Sequence, residues 1–393
     1  MTQHRTRFLV VSLVLSALFS AASWLAAQAR RDAPEPDSRY KYESVFHETL
    51  QRVREAYVDE VDDRQLMAGA YEGAADALGA FAVYVPAEQV AEYRRARAQA
   101  RRDNGLFLVR ERGWIYVAGV EESSPAATAG FERGDLVAKV GGEPTRDLQV
   151  WQIESHLAGH ADRPVAVTVV RQGENHELKL QPAAAGAAAR PAVRVETVSG
   201  IPVLRIGRFD RDTAEAVERE LRRLGAGPGK LAVDLRGTVN GDPAAAFEVA
   251  DLLLTGELGT LKAREEVQKR FAASGEPVWR GQMVVLVDRG SLGAAEVLAA
   301  ALKQGANATL VGEPTFGHAG EQKEVELASG AVLELTGAFY AGPDGELLDE
   351  SLEPDVEVDE RSRRLGERDL DIDELILRRG VGVLAGEEQK KAA

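Results

Sequence analysis

The chain has 393 residues, which is more than one typical domain and suggests two or three. Apolar residues make up 45% of it, a value typical of folded domains rather than of disordered chains. The formal net charge of -15 opposes non-specific binding to nucleic acids. There is no cysteine, which excludes disulfide bonds, thiolate metal ligands and a cysteine nucleophile.

The N-terminus has the order of features found in a secretory signal. Arg5 and Arg7 precede an apolar run over residues 8–27, and small residues follow it. A run of this length can also span a bilayer as an uncleaved anchor. Arg30 and Arg31 would then lie on the outer side, against the positive-inside bias. We therefore predict a signal peptide or membrane anchor over residues 1–29, and export of the rest to the periplasmic or extracellular side.

Three regions with different periodicities follow a polar, proline-bearing spacer. Residues 40–99 have apolar side chains at helical spacing, which predicts helices. Residues 103–182 contain short apolar runs between glycine turns and predict a small β-rich domain with one helix over residues 149–157. An alanine-rich, proline-ended stretch, residues 183–192, predicts a linker.

The last region, residues 193–358, alternates apolar strands with amphipathic helices. This pattern is typical of an α/β layered core with a sheet and covering helices. The remaining residues, 359–393, are charged and predict a surface helix with frayed ends. The predicted fold class is therefore mixed α/β (α+β): an N-terminal helical segment, a small β-rich domain and an α/β core.

The β-rich region resembles a PDZ domain. Residues 104–107 read NGLF and match the carboxylate-binding loop, and residues 124–136 match the stretch that turns into the next strand. The resemblance implies that N–H groups at the glycine turn receive the carboxylate of a protein C-terminus. An extended peptide would then pair with the adjoining strand edge by β-augmentation. The implied peptide-binding residues are Gly105, Leu106, Phe107 and Leu108.

The middle and last regions of the chain resemble the carboxyl-terminal processing (tail-specific) serine proteases, and the resemblance runs from about Tyr42 to Val358. Four motifs stand in the family's order: KLAVDLRG at residues 230–237, MVVLVDRGS at 283–291, VGEPTFG at 311–317 and LEPDV at 352–356. The family hydrolyses peptide bonds with a serine nucleophile and a lysine base. Such a lysine works only where burial lowers its pKa. The resemblance thus implies a protease-like core.

The two catalytic positions of that family are substituted here. The nucleophile turn reads GSLGAAE over residues 290–296, so Gly293 occupies the attacking position. The lysine position falls on His318. Gly293 and His318 are 25 positions apart, which is the family's own separation. Glycine has no side-chain atom that can be acylated, so we predict a pseudoprotease.

Other positions of the family's site differ as well. The loop that helps to form the oxyanion hole reads TVNG over residues 238–241. Backbone N–H groups of Gly241 and Ala294 are candidates for a surviving oxyanion site. An aspartate and an arginine expected after the nucleophile helix are Gln304 and Asn307. Phe81 replaces an upstream histidine, and the retained member of the supporting polar set is Glu296.

A second hypothesis keeps the enzyme active. Ser291, His318 and Glu296 would form a serine–histidine–acid set. Ser291, however, matches the family's first, non-attacking serine, and two residues along an extended turn displace its oxygen by several ångströms. No second histidine stands at a ligand spacing from His318, and we predict no metal and no cofactor.

The sequence therefore predicts an exported homologue of tail-specific proteases that binds protein C-termini or unfolded peptides as an adaptor, scaffold or regulator. An active protease is a candidate partner, and nucleic acids are not. Contact with a membrane would occur only through an uncleaved N-terminal segment. The alternative is an active serine endopeptidase that uses Ser291 and His318 and cleaves near substrate C-termini.

Overall fold

The computed structural model describes residues 38–99, 104–146, 148–159, 163–181, 192–225, 229–359, 361 and 370–386. The predicted signal segment lies outside these residues, as does almost all of the predicted linker. The chain divides into two units, Met1–Gly69 and Ala70–Ala393.

In the first unit, helix α1 (Ser38–Ala56) exposes Tyr40, Tyr42, Val45 and Phe46. Helix α2 (Asp63–Asp76) begins in this unit and ends in the second. Over the described residues, no helix is both long enough and apolar enough to cross a membrane.

The second unit starts with a short strand and a helix. Strand β1 (Val83–Val85) pairs antiparallel with β16 (Val332–Ala341), and a 3₁₀ turn (Ala87–Gln89) leads into α3 (Val90–Gln99). Helices predominate over residues 40–99, as predicted, but β1 was not expected. Its three residues are too few to show a strand period.

The predicted β-rich region folds as a sheet with two helices. The strand order is β2-β3-β4-β6-β7, with β5 paired to β4. The elements are β2 (Leu106–Glu111), β3 (Trp114–Val120), α4 (Pro125–Ala129), β4 (Leu136–Val140), β5 (Glu143–Pro144), α5 (Val150–Gly159), β6 (Val165–Arg171) and β7 (Glu174–Leu180). Ile115, Ile153 and Val169 are fully buried in its core. The predicted β-rich character and the predicted helix over residues 149–157 are confirmed.

The α/β core is built on a six-stranded sheet with the order β17-β14-β13-β10-β9-β8. The strands are β8 (Val193–Val198), β9 (Ile201–Ile206), β10 (Lys230–Asp234), β13 (Gln282–Val287), β14 (Thr309–Gly312) and β17 (Val356–Glu357). All neighbours pair in parallel except β8 and β9. Near-continuous apolar sequences such as β13 fit a sheet that is covered on both faces.

Helices cover both faces of this sheet. Helices α6 (Thr213–Leu224), α7 (Pro243–Asp251) and α8 (Ala294–Gly305) contribute to one hydrophobic core with the sheet. Helix α9 (Ile372–Ala385) packs on the other face and buries Leu375, Ile376 and Leu384 against Val284 and Leu286. The C-terminal segment was expected to be a charged surface helix. That expectation is wrong for α9, because the charges flank an apolar face that the sheet buries.

A second sheet of the core has the order β1-β16-β11-β12, with β15 paired to β16. It contains the hairpin of β11 (Glu257–Ala263) and β12 (Glu266–Ala272), and β15 (Gly320–Glu326). The sequence did not predict this hairpin. In β12 every residue except Phe271 is exposed, so the strand lacks the apolar alternation that identifies half-buried strands. The predicted mixed α/β fold class is nevertheless confirmed.

Candidate active site and peptide groove

Gly293 occupies a sharp turn between strand β13 and helix α8, directly before the first helical residue. Its backbone angles are φ 58° and ψ -101°, a region that side-chain-bearing residues rarely adopt. Strained strand-to-helix turns of this kind expose the nucleophile in α/β-hydrolases. A Cβ atom at position 293 would have the His318 carbonyl oxygen, at 3.9 Å, as its nearest neighbour among the described residues. The turn therefore has room for a side chain but carries none.

Glu296 holds this turn in place. Its buried carboxylate accepts hydrogen bonds from the N–H groups of Gly293 (2.9 Å), Gly317 (2.6 Å) and His318 (3.0 Å). The Thr315 hydroxyl donates a fourth bond, at 2.6 Å. Burial raises the pKa of Glu296, and the four donors oppose that rise. Glu296 thus ties the N-terminus of α8 to the segment that carries His318.

The His318 ring is packed among aromatic side chains. It stacks on Phe81, with ring centres 3.8 Å apart and planes at 10°, and meets the edge of Phe339 at 5.2 Å. Its Nε2 atom lies 3.3 Å from Gln322 Nε2 and 3.3 Å from Thr336 Oγ1. Burial lowers the pKa of His318 to about 4, and Asp349 only partly opposes this. The ring is therefore neutral at pH 7.

Ser291 is completely buried, and its hydroxyl is engaged. The hydroxyl donates to the Leu235 carbonyl at 2.9 Å and accepts from the Asp288 N–H at 3.0 Å. Asp288 Oδ1 lies 3.2 Å from the same oxygen. Within the described residues, no hydrogen bond joins Ser291 to His318, and the His318 contact with Glu296 runs through the backbone N–H rather than the ring. The structure does not assemble these three side chains as a triad.

The loop over residues 238–241 lies beside the nucleophile turn. The Leu292 N–H donates to the Thr238 carbonyl at 3.1 Å, which places the loop next to the start of α8 and hence next to Ala294. The Thr238 hydroxyl is buried and donates to the Ile206 carbonyl at 2.6 Å. Gly241 runs beside Phe209, and an added Cβ would come within 2.6 Å of it, so only glycine fits. Ala294 thus begins the helix at this turn, whereas the bridge of Gly241 is to Phe209.

The predicted carboxylate-binding loop has the expected glycine turn, but one of its expected free donors is engaged within the loop. Gly105 has φ 79°, and a Cβ there would lie 2.0 Å from the Ser124 Cβ. The Leu106 N–H, expected to be unpaired, donates to the Asn104 side-chain oxygen at 2.8 Å. Asparagine side chains often bond to backbone two residues ahead in this way. Within the described residues β2 pairs only with β3, so its other edge has no strand partner.

Aromatic side chains connect β2 to the His318 region. Phe107 lies 6.3 Å from Phe81 and 6.4 Å from Phe316, and Phe81 lies 5.9 Å from Phe316, between ring centres. The predicted peptide-binding residue Phe107 therefore packs on the ring that covers His318. Sequence reasoning singled out Phe81 and Phe107 separately and did not predict this contact, since they share no motif.

An ion-pair network makes a second link between the β-rich region and the nucleophile turn. Arg133 bonds Asp288 at 3.1 Å and Glu313 at 2.7 Å. Among the described residues, no group of three or more histidine, aspartate or glutamate side chains is placed to hold a metal ion. Arg133 therefore joins the β-rich region to Asp288 and Glu313 through ion pairs.

Comparisons with known proteins agree with the fold and the site. Residues 200–358 match the model of peptidase family S41, and residues 116–171 match a PDZ domain model. The fold is therefore a mixed α/β architecture with a PDZ domain and an S41 protease-like core.

Individual proteins of similar sequence or fold are C-terminal processing proteases. The chain is 26% identical over 365 residues to the carboxy-terminal-processing protease of Bartonella bacilliformis, covering 89% of this chain and 82% of that protein. It is 24% identical over 368 residues to the carboxy-terminal processing protease CtpA of Bacillus subtilis, covering 89% and 75%. A solved structure of the photosystem II D1 C-terminal processing protease has the same fold, with a TM-score of 0.61 and 24% identity, over 79% of this chain and 86% of that one. The chain is thus similar to C-terminal processing proteases, with an S41 match in the core and a PDZ match in the β-rich region.

Proposed function

We propose that this chain is a non-catalytic member of the C-terminal processing protease family that binds the C-termini of proteins. One observation carries the proposal: the turn where the family's nucleophile would stand is occupied by Gly293, with space for a side chain and none present. Loss of the nucleophile lowers the rate of serine-protease chemistry by about a million-fold. The retained protease fold then serves as a scaffold.

The surroundings of Gly293 support the same conclusion. His318 is neutral at pH 7, but its lowered pKa makes it a weak base, its ring stacks on Phe81 and its Nε2 faces Gln322 and Thr336. Glu296 is fully used in holding the turn. A base without a hydroxyl to activate gives no nucleophile.

The alternative, an endopeptidase that uses Ser291, requires that hydroxyl to leave its bonds with Leu235 and Asp288. The test is to incubate the purified chain with an unstructured substrate that has an apolar C-terminus. We expect binding without cleavage. Turnover that disappears in Ser291→Ala would overturn the non-catalytic proposal in favour of the endopeptidase.

Peptide binding is proposed to occur on the PDZ domain, at Gly105, Leu106, Phe107 and Leu108. The edge of β2 that has no strand partner among the described residues can pair with an extended peptide. The relatives named above process carboxyl termini, which supports a C-terminal ligand. Affinities for a peptide with a free C-terminus and for its C-terminally amidated form test this. Equal affinities would contradict recognition of the carboxylate.

The biological role proposed is that of an adaptor, scaffold or regulator in the exported space, with an active protease as one candidate partner. Export rests on the signal-like residues 1–29. Fusing these residues to a reporter that folds only outside the cytoplasm tests this step. A reporter that stays inactive would contradict export without affecting the binding proposal.

A further inference from the structure

A polar cavity lies where β2, α3 and α5 come together, and it shares a wall with the proposed peptide groove. Its volume is about 130 Å³, enough for several water molecules or one small side chain. Strand β2 lines it with Phe107, Leu108 and Arg110, and α5 lines it with Trp151 and Glu154. Phe107 and Leu108 belong to both the cavity and the groove, so a peptide on β2 would run past the cavity.

Three side chains of the cavity wall have buried polar atoms without a hydrogen-bond partner in the described part of the chain. They are the donors Arg110 Nε and Trp151 Nε1, and the acceptor Gln322 Oε1. One further atom of this kind, Thr260 Oγ1, is found elsewhere in the described residues. Leaving such an atom unpaired costs about 1–3 kcal/mol, so three at one cavity indicate that a polar group fills it.

The charges of the wall favour a neutral group. Arg110 pairs with Asp76 at 2.5 Å, and Arg97 pairs with Glu334 at 2.5 Å. Glu154 adds a carboxyl group whose pKa is raised by burial. A ligand carboxylate would face these acidic groups, and it would give Gln322 Oε1 no donor.

A cationic ligand fits no better. An ammonium group has donors and no acceptor, so it would leave the N–H groups of Arg110 and Trp151 unpaired. A primary carboxamide accepts at its oxygen and donates at its nitrogen, which matches all three atoms. It also suits either orientation of the Gln322 amide, because it can donate to the oxygen or accept from the nitrogen.

We propose that this cavity binds a primary carboxamide, supplied by the side chain of an asparagine or glutamine in a peptide held on β2. The carboxamide oxygen accepts from Arg110 and Trp151, and its nitrogen donates to Gln322. This inference rests on the proposed function, since it requires a peptide on the groove. Arg110 follows Leu106 by four residues, which is about 13 Å along a strand. The carboxamide therefore belongs about four residues before the C-terminus of the ligand.

The experiment uses the purified chain and labelled peptides that share an apolar C-terminus. They carry glutamine, glutamate or methionine four residues before it, and fluorescence anisotropy measures each affinity. We expect the glutamine peptide to bind about tenfold more tightly than the other two. The glutamate side chain would leave the Gln322 oxygen unpaired, and the methionine side chain would leave all three cavity atoms unpaired. Moving the glutamine by one or two positions should reduce this preference.

Trp151→Phe is the decisive variant, since it keeps a ring against Tyr93, whose centre lies 5.6 Å from that of Trp151, and removes the N–H. The glutamine preference should fall to about threefold, because the carboxamide oxygen loses one donor and the methionine peptide no longer leaves the Trp151 N–H unpaired. Trp114→Phe is the matched control, because Trp114 lies under Arg146 away from the cavity wall, and it should keep the full preference.

The outcomes separate this inference from the function on which it rests. If glutamine and methionine peptides bind equally well, water fills the cavity, and the carboxamide site is wrong while peptide binding stands. Tighter binding of the glutamate peptide would also overturn the carboxamide site. A chain that binds none of the peptides would overturn the proposed peptide-binding function itself.

Discussion

The Phe81 ring lies flat on the His318 ring, with centres 3.8 Å apart. The two residues are far apart in the sequence, and the Phe81 ring covers one face of the imidazole at the position that the sequence resemblance assigns to the base. The stack removes water from one face of the imidazole, which fits the lowered pKa of His318. The same Phe81 ring reaches Phe107 on β2, so the covered base position and the proposed peptide strand share one aromatic cluster.

Removing the Phe81 ring should therefore restore much of the basicity of His318. In Phe81→Ala we expect the His318 pKa to rise from about 4 towards its ordinary value of 6.5, because water regains access to the imidazole. NMR titration of the histidine ring protons measures this directly. Phe271→Ala, which removes a ring stacked on Phe247, is the control and should leave the titration unchanged. A pKa that stays near 4 in Phe81→Ala would show that other neighbours desolvate the ring.

The neutral His318 should also make the folded state sensitive to acid. The unfolded chain binds a proton at a pKa near 6.5 and the folded chain only near 4, so the free energy of unfolding falls as the pH drops through this interval. Because the ring is only partly buried, we expect a loss on the order of 1 kcal/mol. Denaturant unfolding of the wild type and of His318→Gln at pH 7 and pH 4.5 tests this. The difference in stability between the two proteins should shrink at the lower pH, and a constant difference would contradict it.

Glu296 should be more important for stability than for chemistry. In Glu296→Gln one carboxylate oxygen becomes an NH₂ group that faces N–H and O–H donors. We expect a loss of about 3–5 kcal/mol in the free energy of unfolding, as when a buried charge network loses one partner. Glu248→Gln on the exposed face of α7 is the matched control and should change stability by less than about 0.5 kcal/mol. A small effect of Glu296→Gln would mean that the turn does not depend on this carboxylate.

Placing serine and lysine at the two positions that the sequence resemblance identifies as catalytic should not produce activity. The variant with Gly293→Ser and His318→Lys has room for the serine side chain. A lysine at position 318, however, would meet the Phe81 ring, and the 238–241 loop would keep its buried Thr238. We expect no turnover above the wild-type level, with circular dichroism confirming that the variant folds. Measurable hydrolysis would show that the nucleophile and base are the sole catalytic groups missing.

The order of motifs in the sequence was enough to predict the fold class and a sheet covered by helices, whereas the catalytic assignment of Gly293 and His318 stays a prediction. The local sequence pattern was less informative where contacts with residues distant in the sequence determine the structure. Strand β12 is exposed and charged, so its pairing with β11 leaves no apolar period. The Phe81–His318 stack joins distant segments, and no spacing rule indicates such a contact. Helix α9 looked like a surface element because charges flank the face that the sheet buries.

Asn104 offers a test that depends on a single side chain of the carboxylate-binding loop. Its side-chain oxygen accepts from the Leu106 N–H at 2.8 Å and so occupies a donor that a ligand carboxylate would use. In Asn104→Ala that N–H becomes available, and its bond to a charged carboxylate is stronger than a bond to a neutral amide. We expect the affinity for peptides with a free C-terminus to rise about three- to tenfold, whereas the affinity for amidated peptides should change little. Isothermal titration calorimetry measures both, with the exposed Asn175→Ala as control. If Asn104→Ala weakens binding instead, Asn104 orders the loop, and its bond to Leu106 prepares the site rather than competing with the ligand.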